Sequence, residues 1–82
     1  MKINNKCLIN FDKKEAMIFN PTSETIISYN AVGKEIIQFL MKGYDKKRIL
    51  KELSQIYNVD KKILRKDLNE FLLEQKNLKV VR

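Results

Sequence analysis

Residues 25–40 read TIISYNAVGKEIIQFL, and the reading of this stretch decides the fold. Thr25-Ile26-Ile27-Ser28-Tyr29 is a β-branched run closed by an aromatic, the composition of a strand. From Asn30 onward the apolar residues fall at helical intervals instead: Val32, Ile36 and Leu40, with Ile37 and Met41 beside them. No loop residues separate the two periods. Asn30 is therefore expected to end the strand and cap the helix in one step, its side-chain oxygen accepting an amide of the first turn. Such a junction sets a strand against a helical layer at a fixed angle.

Upstream, CLINFD alternates Cys7, Ile9 and Phe11 against Leu8, Asn10 and Asp12, the period of a strand. Asp12-Lys13-Lys14-Glu15 is a polar turn and Ala16–Phe19 a second strand. Asn20–Glu24 (NPTSE) is turn chemistry, since Asn20 can bond its own backbone and Pro21 presets a corner φ. Thr25–Tyr29 then completes a meander of three strands.

Downstream, the first helix stops near Lys42-Gly43. Asp45 is placed to cap a second helix with the stripe Ile49, Leu50, Leu53, Ile56 and Tyr57. After the short break Asn58-Val59-Asp60, Asp60 caps a third helix carrying Leu64, Leu68, Phe71 and Leu72. Asn77 is expected in the left-handed position that ends this helix, with Leu78 packing back over the last turn. A three-stranded sheet cannot bury a face alone, so the helices must cover it. The predicted fold is α+β, a winged helix-turn-helix-like domain in which a three-stranded antiparallel sheet precedes three helices (β-β-β-α-α-α). No repeat or linker interrupts residues 1–82, so one domain is expected.

Composition excludes much. At 82 residues the apolar side chains are nearly all required for folding, which leaves room for one recognition surface. There is no histidine, only two glycines, and Cys7 is the single cysteine. A disulfide within the chain, a cysteine–histidine zinc site, a glycine-rich phosphate loop and an acid–base pair suited to neutral pH are thereby excluded. The carboxylates Glu70 and Glu74 lie one turn apart, a spacing usual for a solvated helix face. No catalytic residue, metal or cofactor is expected: the chain is not an enzyme on its own. The opening MKINNKCLINFDKK has no apolar run of signal-peptide length and no segment is long enough to span a membrane, so a reducing, cytoplasmic compartment is expected.

The charge balance, 17 basic against 10 acidic residues, gives +7 and a field that attracts anions. DNA is one candidate ligand. Lys61, Lys62, Arg65 and Lys66 begin the third helix, and Lys46, Lys47, Arg48 and Lys51 enrich the second. Lysine far outnumbers arginine, however, which suits phosphates rather than base edges, and Asp67, Glu70 and Glu74 would repel a phosphate backbone. A peptide is the other candidate. The third strand has one neighbour in a meander, and its free edge could accept an extended chain as a further strand. An ordinary edge strand reads the same way, so the residues alone leave both ligands open.

Several motifs in order resemble the PqqD-like family, small precursor-peptide recognition domains of ribosomally made, post-translationally modified peptide (RiPP) pathways. Tyr29-Asn30 followed by Gly33 resembles that family's Leu-Asn-x-x-Gly junction, with Ile36–Leu40 as the apolar helix after it. YDKKRILKELSQIYNVD resembles the middle helix, including Tyr57, Val59 and Asp60 of its Tyr-x-Val-Asp ending. KDLNEFL (Lys66–Leu72) resembles the Asp-apolar-x-x-Phe-Leu signature of the third helix. The likeness runs from about Cys7 to Val81. Tyr29 departs from it where leucine is usual, Gln75 where an apolar residue is usual, and Asn77 near a usual glycine.

The resemblance implies a non-catalytic peptide chaperone. A leader peptide would add as a strand beside the third strand, against the third helix, and be presented to a separate modifying enzyme. That enzyme would be a lasso-peptide leader protease or a radical SAM maturase. The candidate peptide-binding residues are Thr25, Ile26, Ile27, Ser28 and Tyr29 through their backbone, with Ile63, Asp67, Glu70 and Phe71 on one flank of the third helix. Leu73 lies on the opposite flank. No membrane partner is expected, nucleic acid is disfavoured, and the chain is expected to be a monomer or weak dimer. The alternative reading is a small basic winged-helix DNA-binding transcription regulator.

Overall fold

The computed structural model describes residues 1–82. Its elements are β1 (Leu8–Phe11), β2 (Ala16–Asn20), β3 (Thr25–Tyr29), α1 (Ala31–Met41), α2 (Lys46–Ile56) and α3 (Lys61–Asn77). The strands form one antiparallel sheet in the order β1-β2-β3, which leaves one side of β3 without a neighbouring strand. The fold is α+β, three antiparallel strands followed by three helices, as the sequence periods predict.

Register sorts the side chains by face. Ile9, Ile18 and Ile27 stand opposite one another across the three strands and point towards the helices. Ala16 and Tyr29 form the next inward pair, both buried. The outward row is Leu8, Phe19 and Ile26, and both Leu8 and Ile26 are 64% exposed. An apolar row on the outer face departs from the polar alternation expected of a sheet wetted on one side.

The helices close over the inward face. Ile36, Ile37 and Leu40 of α1, Ile49, Leu50 and Leu53 of α2, and Leu64, Leu68 and Leu72 of α3 meet Ile18 and Tyr29 in one core. The stripes are narrower than the spacing alone suggests, since Val32, Met41 and Ile56 remain exposed. Each helix starts where an Asx side chain caps it. Asn30 accepts from the Gly33 amide at 2.9 Å, Asp45 from that of Arg48 at 2.8 Å and Asp60 from that of Lys62 at 2.8 Å.

One expectation about loops is extended and one is corrected. Asn20 opens the turn as expected and is also the buried last residue of β2. Its amide donates to the carbonyls of Leu78 at 3.4 Å and Lys79 at 3.5 Å, while its oxygen still accepts from the Thr22 amide at 3.0 Å. Asn77 does not hold the left-handed position, because α3 runs through it. Lys79 does, with φ 61°, and the Lys79 and Val80 amides donate to the carbonyls of Lys76 and Gln75. That is a Schellman closure with lysine where glycine is usual.

The chain ends are stitched together. Ile3 and Val81 form an antiparallel bridge, the Asn4 amide donates to the Val80 carbonyl at 2.7 Å, and that of Arg82 to the Lys2 carbonyl at 2.8 Å.

Candidate functional site

The free edge of β3 lies beside α3, and two contacts fix their spacing. The ring centroids of Tyr29 and Phe71 are 5.9 Å apart in a tilted arrangement. The Tyr29 hydroxyl donates to Oε1 of Gln75, which is buried. Asn20, opposite Thr25 in the sheet, reaches Leu78 and Lys79 at the far end of α3. Strand and helix therefore run in opposite senses, Thr25 towards Leu78 and Tyr29 towards Phe71.

Gly33 makes the close approach possible. A Cβ on this residue would lie 3.2 Å from both Cβ and Cδ1 of Tyr29 and 3.3 Å from Cε2 of Phe71. Those distances are tighter than ordinary van der Waals contact, so any larger residue would make Tyr29 or Phe71 shift by a few tenths of an ångström.

Past the Tyr29 end of β3 is a cavity of about 310 Å³. Val32, Gly33 and Ile36 of α1, Leu53 and Tyr57 from the end of α2, and Leu64, Leu68 and Phe71 of α3 supply its apolar walls. Asn30 and Asp67 give it polar points. At its α2 wall the Tyr57 hydroxyl donates to Oε2 of Glu35 at 2.9 Å. A mostly apolar recess with a few polar groups suits a side chain presented by a ligand.

Electrostatically the groove between β3 and α3 favours neutral floor residues. Burial pushes the Tyr29 hydroxyl well above its ordinary range, and Cys7, once ionised at high pH, and Glu74 add to the effect. Burial likewise raises the Cys7 thiol, which keeps it protonated. Tyr57 is raised too, by burial first and then by Glu35. None of these shifts brings a group towards neutral pH, and no group of three or more acidic or cysteine side chains is placed to hold a metal. The geometry offers a strand edge, an apolar recess and fixed spacing.

The candidate residues separate cleanly. Thr25, Ile27 and Tyr29 point inward, whereas Ile26 and Ser28 face the outer surface of the sheet and meet the groove only through their backbone. Asp67 and Phe71 line the cavity. Ile63 and Glu70 are exposed, lie on the same side of α3 and do not line it. Leu73, 60% exposed, stands on the other flank, away from Tyr29. Sequence reasoning passed over Gln75, which fixes the groove width, Glu74, whose charge reaches Tyr29, and Val32 and Asn30, which form the rim of the cavity. The continuation of the Asp67–Phe71 flank by one turn pointed to Glu74. The signal for Gln75 was its place where the family usually has an apolar residue, four positions after Phe71.

Three helices stacked on one face of a three-stranded meander, with a free strand edge beside the last helix, define a class of small α+β domains. The chain belongs to the PqqD family: the family model described as "Coenzyme PQQ synthesis protein D (PqqD)" matches residues 15–81. The match begins just before β2, later than the expected start near Cys7, so β1 lies outside it. The solved structure named "TbiB1 in Complex with the TbiA(beta) Leader Peptide" superposes with a TM-score of 0.97. The match covers 100% of this chain and 95% of that one at 24% sequence identity, which speaks for a shared fold. No sequence among the curated proteins matches the chain.

Proposed function

We propose that residues 1–82 form a recognition domain that captures the leader of a ribosomally synthesised precursor peptide and presents it to a separate modifying enzyme. The observation that carries this reading is the unpaired edge of β3 beside α3, with an apolar recess at the Tyr29 end. An added strand satisfies the edge amides and carbonyls of Thr25–Tyr29, and its alternate side chains enter the space between β3 and α3. One of them fills the cavity lined by Phe71 and Asp67. Ile63 and Glu70 extend the wall on the same flank. Support also comes from family membership and from the likeness to a structure whose name includes a leader peptide. The receiving enzyme is a lasso-peptide leader protease or a radical SAM maturase.

The test is an amide NMR titration of the labelled chain with leader peptides of small precursors encoded near its gene. Saturable shifts along Thr25–Tyr29 and Asp67–Phe71 are expected, with slowed amide exchange on the open side of β3. Phe71→Ala should weaken binding by about tenfold or more, the usual effect of removing a central aromatic contact. Leaders that leave these resonances unmoved would overturn the assignment.

A further inference from the structure

The basic residues of α2 and α3 gather at one place. A cleft of about 590 Å³ between the two helices is lined by Lys47, Arg48 and Lys51 from α2 and by Lys61 and Arg65 from α3. Only Asp45 and Glu52 oppose them there. A second hollow of about 500 Å³ continues it, sharing Lys47 and Arg65 and adding Lys46.

These charges are badly placed for helix stability. Lys47 and Lys51 are four apart on α2, as are Lys61 and Arg65 on α3, so each helix stacks like charges at neighbouring surface positions. Neither helix has an acidic residue in its first turn, where the helix dipole favours one, and both open with two lysines. The Asp45 carboxylate caps α2 through the amide of Arg48 and keeps its charge, so five cations face two carboxylates in the cleft. Arg48 is held ready, its guanidinium carbon 3.8 Å from the centroid of the Tyr44 ring. Glu52, four residues after Arg48, offsets that one cation; the others leave an excess of positive charge across a concave surface, which an anion relieves.

We propose that this cleft docks an acidic peptide segment of the enzyme that receives the leader. The identity of the partner rests on the function proposed above; the preference for an acidic chain does not. A chain fits better than a duplex because the cations line a recess between helices rather than a protruding face. On α3 the groove flank carries Asp67, Glu70 and Phe71, and the cleft flank carries Lys61 and Arg65. Leader and enzyme segment therefore bind different flanks of one helix, divided by Leu68, and both can be held together.

The experiment titrates the labelled full chain, at about physiological salt, with three probes: an eight-residue Glu/Asp-rich peptide, a mixed-sequence DNA duplex and the leader. The proposal expects saturable shifts at Lys47–Lys51 and Lys61–Arg65 with the acidic peptide. Lys47→Glu combined with Lys61→Glu should weaken that binding about tenfold. The charge-matched control Lys13→Glu combined with Lys14→Glu, on the β1–β2 turn, should change it by less than about twofold. Equal losses in the two double variants would reduce the effect to net charge and overturn the proposal, as would a duplex that binds the same residues more tightly than the peptide. Loss of leader binding in the cleft variant would show that the two surfaces are not separate and would also overturn it. A leader that binds nowhere, with the acidic peptide still in the cleft, would remove the function proposed above and leave the acidic site standing.

Discussion

The hydroxyl of Tyr29 donates to Oε1 of Gln75, joining the last residue of β3 to the last turn of α3. Both residues depart from what the family resemblance leads one to expect, and the structure shows that they depart together. A leucine at 29 and an apolar residue at 75 would pack; a tyrosine and a glutamine pack and bond. Either polar group alone would be buried without its partner.

That pairing predicts a strongly non-additive mutant cycle. Tyr29→Phe leaves the buried Gln75 oxygen unsatisfied and should cost about 1–3 kcal/mol. Adding Gln75→Leu removes the orphaned group and should restore most of the loss, since exchanging both partners for apolar groups is nearly neutral. Urea denaturation of the two single variants and the double variant checks this. Additive losses would mean that the contact carries no coupling.

Alkaline pH should destabilise the domain through Tyr29 and Cys7. Burial raises the folded Tyr29 hydroxyl above its ordinary 10.0 and the Cys7 thiol above its ordinary 9.0. In the unfolded chain both groups lose their protons near those ordinary values while the folded chain still holds them. The unfolded state then binds fewer protons, so stability falls as pH rises. The contribution is complete below about pH 9 and shrinks through pH 10 and above. Melting temperatures between pH 8 and pH 11 should show this decline, with a shallower slope in Tyr29→Phe.

Lys79→Gly should stabilise the fold. The residue holds φ 61° at the end of α3, and its backbone carbonyl, which accepts from Asn4 at 3.0 Å, survives the change. Relief of the left-handed strain, less the extra freedom glycine has when unfolded, should give about 0.5 kcal/mol. In a domain of this size that corresponds to a rise of about 2–4 °C in Tm. An unchanged or lower Tm would show the Lys79 side chain to be worth more than the strain.

Gly33→Ala separates stability from binding. The alanine methyl improves helix propensity by up to about 1 kcal/mol but presses on Tyr29 and Phe71 at 3.2–3.3 Å. The two effects should nearly cancel in Tm while the rings shift and leader affinity falls several-fold. Calorimetric titration alongside thermal melts checks it, and unaltered affinity would place the binding surface elsewhere.

What the sequence disclosed followed from short-range chemistry. The strand-to-helix switch at Asn30 and the caps Asp45 and Asp60 were legible because each lies within a few residues of the groups it satisfies. Thr25–Tyr29 was legible as a strand for the same reason, its β-branched run ending at a cap. The third helix's end was misread, since asparagine at 77 is the better left-handed candidate by propensity and lysine at 79 was chosen by tertiary bonds to Asn4 and Asn20. Those partners are more than fifty residues away in sequence, beyond any local signal. Gln75 was visible as a polar residue at a usually apolar position, but its partner was not, since Tyr29 lies forty-six residues upstream. Spacing marked Asp67 and Phe71 as neighbours on one flank, but only the fold shows the recess they share with Val32 and Tyr57.

The bridge between Ile3 and Val81 has a consequence for modular construction. It brings the two chain ends side by side, and the residues around Ile3 pack near Leu40, Met41 and Gly43 at the far end of α1 from the cavity. Four residues of helix separate Ile36 at the cavity from Leu40 at the chain ends, about 6 Å along the axis. Any protein fused to either end, or interrupted to receive this unit as an insert, would hang from that far end. Tethering the unit to an enzyme would leave the Tyr29 end of the peptide edge and its recess open, and would raise the local concentration of bound peptide at the catalytic partner.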